Sequence, residues 1–391
     1  MSRLLTWLFG RLPIGWLQLT HNRTRFAAAL AGVAFAILLV FMQLGIMGAL
    51  NNSTIAPFSL LRGDILISST DGNTLTDSGN VARARMYQAL GVAGVKSAAP
   101  VYIGTLPLSL EDGSSAALLA FGIDTAQPEY TAPRIVQQLE LLKTENTALL
   151  DKGSRGVPAD IFESITPDTP FTFEINGQTM NAIGTITVGG GFLADGTMVV
   201  SDQTFLRFSP SRVGGAPSHI LVQVADGARI ETVVTRLQAA LPADSVKVQT
   251  MQDAAAADLA FMSSERPTGI IFGFGVLMGI IVGLVIVYQV LSTDVADHLK
   301  EYATFKAMGY DHPFFLGVVF EEALILAIFG FIPGFLAALG LYNALVSVTG
   351  LPVIMQPSTA ILIFFGTLAA CSLSGAIATR RLVAADPADL F

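Results

Sequence analysis

The sequence has few charged residues for its length. Only 13% of its 391 residues are Asp, Glu, Lys or Arg, whereas soluble domains usually carry about 25%. The 30 acidic residues outnumber the 22 basic ones, which argues against a nucleic-acid-binding protein, because such proteins present a basic face. Low charge combined with 52% hydrophobic residues indicates a membrane protein.

Cysteine and histidine are also scarce. The single cysteine, Cys371, excludes an intramolecular disulfide and a thiolate metal cluster. The sequence contains no His-Glu-x-x-His, Gly-x-Ser-x-Gly or Gly-x-x-x-x-Gly-Lys-Ser/Thr run, so it lacks the motifs of zinc proteases, serine hydrolases and P-loop ATPases. We therefore expect a non-catalytic chain without a metal or cofactor of its own, and an intramembrane enzyme is the least favoured class.

Three long windows without Asp, Glu, Lys or Arg locate the membrane spans. They cover residues 26–50, 267–293 and 323–379. A helix needs about 20 apolar residues to cross the bilayer core, so the third window has room for two helices, which Pro352 and Pro357 would separate. The predicted spans are 26–50, 268–292, 314–342 and 358–380.

Basic residues in the short flanks of these spans predict the orientation. With four spans, residues 1–25, the connector 293–312 and the tail 381–391 all fall on one side, and the positive-inside rule makes that side cytoplasmic. The first 25 residues contain four arginines and no acid, and they are predicted to form an amphipathic helix with Trp7 and Trp16 at headgroup depth.

Residues 51–266 are predicted to form an α+β domain outside the membrane, between the first two spans. This region holds 14 basic and 22 acidic residues and therefore the whole net charge of −8. Strand–helix–strand patterns at 64–106 and 219–249 predict one lobe beside the membrane, and residues 110–215 a second, inserted lobe. Helices are expected at 80–91, 133–142, 229–241 and 251–265. His219 and the Gly189–Gly191 run have structural interpretations, as a buried side chain and a turn.

The connector 293–312 is the most informative segment. It has two interpretations: a polar loop ended by Gly309 and Pro313, or a short helix, with Gly309 at its C-cap position, whose apolar side chains dock into a groove of a partner protein. Docking is favoured because a plain loop does not need Tyr, Phe and Met. The candidate interface residues are Asp294, Asp297, His298, Glu301, Tyr302, Phe305, Lys306, Met308 and Gly309.

The run Glu301-Tyr-Ala-Thr-Phe-Lys-Ala-Met-Gly-Tyr310 resembles the signature after the second span in permeases of the MacB/FtsX/LolC-LolE superfamily. Within that superfamily, this run is most similar to the sequence of the DevC family, the permease of DevBCA-type ABC exporters. That resemblance also includes 16–19 (Trp-Leu-Gln-Leu), 31–36 (Ala-Gly-Val-Ala-Phe-Ala), 41–45 (Phe-Met-Gln-Leu-Gly) and 386–391 (Asp-Pro-Ala-Asp-Leu-Phe). Residues 110–215 match no motif of the family.

The resemblance implies a MacB-like permease fold: four membrane helices, with an extracytoplasmic α+β domain between the first two. It further implies a homodimer in a bacterial inner membrane, a separate DevA-like ATPase that binds ATP and grips the connector, and a DevB-like periplasmic adaptor with a TolC-like outer-membrane channel. Lipid or glycolipid cargo is implied in the same way. The alternative is an FtsX-like protein that transmits ATPase-driven force to a periplasmic partner without transport.

Two features inside the spans are candidate contacts. Glu321 and Glu322 are the only acids at possible membrane depth, and a contact with the connector or a partner subunit is favoured over a proton relay. Gly275, Gly279 and Gly283 recur every four residues on one helix face. Such a stripe permits close helix contact, either at a dimer seam or within one subunit.

Overall fold

The computed structural model describes residues 14–110, 113–189, 191–210, 212, 216–298, 304, 308–351 and 353–384. The helices, in chain order, are α1 (Ile14–His21), α2 (Arg23–Ile55), α3 (Ala84–Leu90), α4 (Pro133–Val136), α5 (Ile161–Ser164), α6 (Asp202–Phe208), α7 (Ile230–Ala240), α8 (Met251–Ser264), α9 (Pro267–Asp297), α10 (His312–Thr349) and α11 (Pro357–Ala384). Short 3-10 helices cover Ala56–Leu60, Pro128–Tyr130 and Leu139–Lys143.

In the described part of the chain, nine strands form one sheet. They are β1 (Ile65–Ser69), β2 (Val95–Ser109), β3 (Ser115–Ile123), β4 (Thr147–Asp151), β5 (Phe171–Ile175), β6 (Gln178–Ile186), β7 (Gly196–Ser201), β8 (His219–Val224) and β9 (Val246–Thr250). Their order is β3-β7-β4-β6-β5-β2-β8-β1-β9. Strand β3 also pairs with β2, so six of the strands close into a ring, and β8, β1 and β9 extend it on one side.

The chain divides into two compact units. The helical unit comprises the described residues up to Gly48, from Ile271 to Ser347 and from Val353 onward. The sheet unit comprises Ala49–Ile270 and the short segment that begins at Val348. The two boundaries of the stretch Ala49–Ile270 fall inside long helices: the first inside α2 and the second inside α9.

Strands β1, β2, β8 and β9 carry the two strand–helix–strand patterns found in the sequence. Helix α3 connects β1 to β2, α7 connects β8 to β9, and every neighbouring pair in the order β2-β8-β1-β9 is antiparallel. This is the split βαβ arrangement. Its core holds fully buried aliphatic side chains, among them Ile65, Ile67 and Leu237, because alternate residues of each strand face the two helices.

The middle of the domain differs from the predicted separate lobe. Strand β2 pairs with β8 along its first half and with β3 along its second half, from Val101 to Ser109, so a single 15-residue strand belongs to both groups. The prediction of one helix over 133–142 is wrong. Pro133 starts only a four-residue helix, and a 3-10 turn follows at Leu139–Lys143.

Within the described residues, four helices are long and apolar enough to cross a membrane: Arg23–Leu60, Pro267–Asp297, Pro313–Thr349 and Pro357–Ile377. The first three extend beyond the corresponding charge-free windows, and the fourth lies inside its window. Their shared core contains the fully buried Val33, Phe41, Leu291 and Val318. Backbone groups in a bilayer must be bonded internally, and uninterrupted helices satisfy that condition.

The run 41–45 (Phe-Met-Gln-Leu-Gly) has a packing explanation. The Phe41 ring lies 6.0 Å from Phe331 and 5.7 Å from Phe335 of α10, between ring centroids. The Tyr342 hydroxyl donates a hydrogen bond to the carbonyl oxygen of Phe41. A Cβ atom at Gly45 would meet the same tyrosine, with ring atom Cε1 at 2.9 Å. Glycine at position 45 therefore allows α10 to approach α2.

Gly45→Ala is expected to destabilise the helical unit by about 1–3 kcal/mol, because the added methyl overpacks this contact. Tyr342→Phe, which removes only the hydroxyl, is expected to cost about 1 kcal/mol. In a Tyr342→Ala background, Gly45→Ala should cost much less, because the ring that opposes it is gone. Thermal unfolding of the four detergent-solubilised proteins measures this cycle, and additive losses would contradict the contact.

Candidate functional site

The described residues of the connector lie at one end of the helical unit, which we call the connector end. It is formed by α1, the first turns of α2, the last turns of α9 and the first turns of α10. Of the candidate interface residues, Asp297, His298, Met308 and Gly309 are described, and Asp294 lies in α9 without a described side chain. Glu301, Tyr302, Phe305 and Lys306 lie outside the described residues.

Asp297 forms an ion pair with Arg25. The guanidinium of Arg25 also donates to the carbonyl oxygen of Thr293 at 3.1 Å. Because Arg25 lies in the first turn of α2 and Asp297 ends α9, these bonds join the two helices that border the sheet unit in sequence. The sequence showed Arg25 only as part of a basic flank. The useful signal was that Arg25 and Asp297 are charged residues close to the ends of charge-free windows on the same predicted side.

The C-terminal end of the connector has the predicted cap. The Met308 amide donates to the Thr304 carbonyl at 3.1 Å, which is a helical turn, and Gly309 follows with φ of +93°. Glycine ends helices in this left-handed conformation because it has no Cβ. Met308 is 60% exposed and Tyr310 45% exposed. Two largely exposed side chains therefore lie in the C-terminal part of the connector.

Helix α1 packs against α2 and α10. The Trp16 ring lies 6.2 Å from Phe26 and 5.8 Å from Phe329, and Leu19 is buried in the core of the helical unit. Leu17 remains 52% exposed, so α1 has one buried and one exposed apolar side. Trp7 lies outside the described residues.

Glu321 and Glu322 are buried beneath α1. The Trp16 backbone amide donates to Glu321 Oε1 at 3.3 Å, and a Cβ atom at Gly15 would lie 2.9 Å from the Cγ of Glu322. Their described contacts are thus with the N-terminal helix, whereas the sequence favoured the connector or a partner subunit. The sequence did not reveal this contact because the two segments are about 300 residues apart.

The glycine stripe of α9 faces α2 of the same chain. A Cβ atom at Gly275 would meet the amide of Gln43, and one at Gly283 would lie 3.5 Å from Ala36. Gly279 lies over Val40, at 3.8 Å by the same measure. These contacts match packing within one subunit, and a dimer seam at this stripe stays a prediction.

A cluster of buried polar groups bonds α8, the helix that precedes α9, to the segment around Leu75. Asp258 of α8 accepts the Leu75 amide at 2.7 Å, while His219 Nε2 lies 2.9 Å from the Leu75 carbonyl oxygen and its Nδ1 lies 2.8 Å from Ser68 Oγ. The structural interpretation of His219 agrees with these bonds. Asp258 was not singled out in the sequence, because nothing local distinguishes it from the surface acids.

Burial shifts the pKa values of Asp258 and His219 in opposite directions. Desolvation raises the pKa of Asp258 to about 6, opposed by the Leu75 amide and by Lys247. Desolvation lowers the pKa of His219 to about 4, opposed by the Leu75 carbonyl and reinforced by Arg212 and Lys247. Both groups are therefore mainly neutral between about pH 4 and pH 6 in the folded chain.

These shifts predict a pH dependence with opposing contributions. Below pH 6 folded Asp258 binds a proton more readily than the unfolded chain does, so its contribution to the free energy of unfolding falls as pH rises from about 4 to 6. His219 binds its proton more readily when unfolded, so its contribution rises over that range. Asp258→Asn should therefore leave a protein that loses stability more steeply on acidification than the wild type.

Calorimetric unfolding of the full chain across this pH range tests the prediction. His219→Gln provides the matched control, because it leaves only the Asp258 contribution and should flatten or reverse the acid loss. Parallel pH profiles for the wild type and Asp258→Asn would contradict it.

Among the residues that the structure describes, no group of three or more His, Cys, Asp or Glu is placed to hold a metal ion. The arrangement at the connector end consists of an ion pair, buried acids against a helix and exposed apolar side chains. These groups can bind and position a partner, and they contain no nucleophile–base pair of the kind that covalent catalysis needs.

Residues 273–387 match the FtsX-like permease C-terminal family. No curated protein is significantly similar to the chain. Solved structures give weaker likenesses. The extracellular domain of the ABC-type transporter YknZ from Gram-positive bacteria is 14% identical, over 48% of this chain and 100% of that one, with a TM-score of 0.34.

The periplasmic region of MacB from Actinobacillus actinomycetemcomitans is 13% identical, over 50% of this chain and 92% of that one, with a TM-score of 0.34. A domain of a permease protein from Porphyromonas gingivalis is 12% identical, over 48% and 86%, with a TM-score of 0.30. These TM-scores are below 0.5, so the assignment rests on the sequence match. The matched part of the chain, residues 273–387, includes α10, α11 and most of α9 and is similar to the C-terminal domain of FtsX-like permeases.

Proposed function

We propose that the chain is the permease subunit of an ABC-type exporter, which couples ATP hydrolysis by a separate subunit to movement of an external domain. The family match over residues 273–387 carries this proposal. The 222-residue stretch Ala49–Ile270 between the first two long helices supports it, because a domain in that position is attached to the membrane helices at both ends.

A separate ATPase is needed because the sequence has no P-loop of its own. The connector is the surface proposed to bind it. Met308 and Tyr310 are exposed apolar side chains at its end, and an amphipathic helix typically docks such side chains into a partner's groove. The ATP is therefore proposed to bind the partner, with no cofactor in this chain.

The long helices are proposed to transmit the movement. Helix α2 continues without a break from Gly48, in the helical unit, to Ala49, in the sheet unit, and α9 crosses its boundary between Ile270 and Ile271. Within the sheet unit, Arg155 donates to the Thr349 carbonyl oxygen at the end of α10, at 3.4 Å. Three membrane helices thus each contribute residues to the sheet unit.

The finer assignment follows the DevC resemblance: a homodimer in the bacterial inner membrane, a DevA-like ATPase, a DevB-like adaptor with a TolC-like channel, and lipid or glycolipid cargo. Both termini and the connector are placed in the cytoplasm, and the sheet unit in the periplasm. Signalling without transport, as in FtsX-like proteins, is the competing outcome. A gene for an adaptor beside that of the chain would favour export, and one for a cell-wall hydrolase would favour signalling.

Replacing Glu301 or Phe305 with alanine is expected to abolish export without preventing membrane insertion, because these side chains belong to the proposed ATPase contact. ATP-dependent export by reconstituted chain and ATPase measures the effect. Asp311→Ala is the control: it removes one exposed acid of the connector that is not among the candidate interface residues, and it should leave export unchanged. Normal export by the Glu301→Ala, Phe305→Ala double variant would contradict the proposed contact.

Arg155→Ala is expected to lower export while the chain still binds its ATPase. The guanidinium of Arg155 holds the Gly191 carbonyl at 2.6 Å as well as that of Thr349, and its loss would loosen the end of α10 from the sheet unit. The exposed Lys152→Ala matches the change in charge. Equal export by the two variants, at equal copurification of the ATPase, would show that Arg155 plays no part in transmission.

A further inference from the structure

A cavity of about 430 Å³ opens at the connector end, between α1, the start of α2 and the end of α9. Its size falls within the ~300–1,000 Å³ of small-molecule sites. Its lining is mixed. We call the apolar lining residues Leu19, Phe26, Ala28, Ala29, Ile286 and Val290 the apolar wall. We call the polar ones, which are Gln18, His21, Asn22, Arg25, Gln289, Thr293, Asp297 and His298, the polar wall.

The position of the cavity matches the boundary between hydrocarbon and headgroups. Of its apolar lining residues, Phe26 and Ala29 belong to the charge-free window of α2 and Ile286 and Val290 to that of α9, whereas the charged Arg25 and Asp297 lie just outside these windows. Trp16 of the adjoining α1 is an aromatic residue of the type enriched at this depth. An occupant would therefore have one polar and one apolar end.

The charges of the polar wall are one cation and one anion in contact. Arg25 and Asp297 form an ion pair, and their side chains remain 35% and 52% exposed. A phosphate fits the guanidinium of Arg25, which can donate two parallel hydrogen bonds. Asp297 would repel that phosphate unless the same ligand also presented a cation. Asp297 thus disfavours a purely anionic ligand and favours one that bears both charges.

We propose that this cavity binds the headgroup of a phosphatidylethanolamine-type lipid of the inner leaflet. The phosphate accepts hydrogen bonds from Arg25, and the ammonium donates to Asp297. Asn22 and Gln289, which also line the polar wall, add amide donors for the phosphate oxygens. The first carbons of the acyl chains contact the apolar wall. The bound headgroup would bridge α2 and α9 beside the connector.

Related headgroups fit this wall less well. Phosphatidylglycerol has the phosphate but no cation for Asp297. Phosphatidylcholine has a cation without N–H donors, so it cannot hydrogen-bond the carboxylate. Soluble phosphoethanolamine has both charges but leaves the apolar wall without a partner. The site therefore predicts an order of preference among four defined compounds, and it does not depend on the function proposed above.

The test uses the full-length chain in detergent, incubated with an equimolar mixture of the three lipids with identical acyl chains. Native mass spectrometry then counts the retained lipids. The wild type is expected to retain phosphatidylethanolamine several-fold more than either competitor. Arg25→Ala should lower this retention about tenfold, which corresponds to about 1.4 kcal/mol. Asp297→Asn should reduce phosphatidylethanolamine to the level of phosphatidylcholine.

Arg23→Ala is the matched control, because Arg23 is exposed, carries the same charge and does not line the cavity. It should retain the lipid as the wild type does. Equal retention of the three lipids by the wild type would overturn the proposal even if no variant folded. So would equal losses in Arg23→Ala and Arg25→Ala, or displacement of the lipid by soluble phosphoethanolamine at equal concentration.

Discussion

Helix α2 is the element on which the helical unit depends, because it packs against other helices along much of its length. Near the connector end Arg25 holds α9 through Asp297 and the Thr293 carbonyl. In the middle, Phe41 and Gly45 receive the aromatic residues of α10. Since the lipid offers no hydrophobic drive for helix association, close packing and a few polar bonds must supply it. Helix α2 is thus held at two positions along its length, by polar bonds at the connector end and by aromatic packing in its middle.

The membrane helices could be predicted from sequence because their signal is local. A charge inside the bilayer core is costly, so the absence of charge marks each span. Strand positions in the sheet unit were predictable for a similar reason, since alternation records which face is buried. The prediction failed where two distant segments decide the structure. Strand β2 joins both groups of strands, and the 133–142 segment breaks after one turn because its residues pack beneath the sheet, with Ile135 and Leu142 fully buried.

The polar contacts at the connector end were the least predictable part of the site. Arg25 and Asp297 are 272 residues apart, and Trp16 and Glu321 are 305 residues apart. No local pattern records such a pair. The sequence did predict the cap at Gly309, because a helix end is a local event that requires a left-handed residue at one position. The composition therefore identifies the connector as one of the charged segments that flank the spans. Only the fold shows that α1 and α2 also contribute to the connector end.

The arrangement of polar groups constrains how a partner can act. A bound protein or lipid shifts a conformational equilibrium only by its difference in affinity for the two states. At the connector end the bonds between α2 and α9 are salt-bridge and backbone contacts of partly exposed groups, which solvent weakens and a ligand can replace at small cost. The packing of α2 on α10 is instead buried and aromatic, so it resists separation. A partner that bound the connector would therefore change the α2–α9 spacing more readily than the α2–α10 spacing.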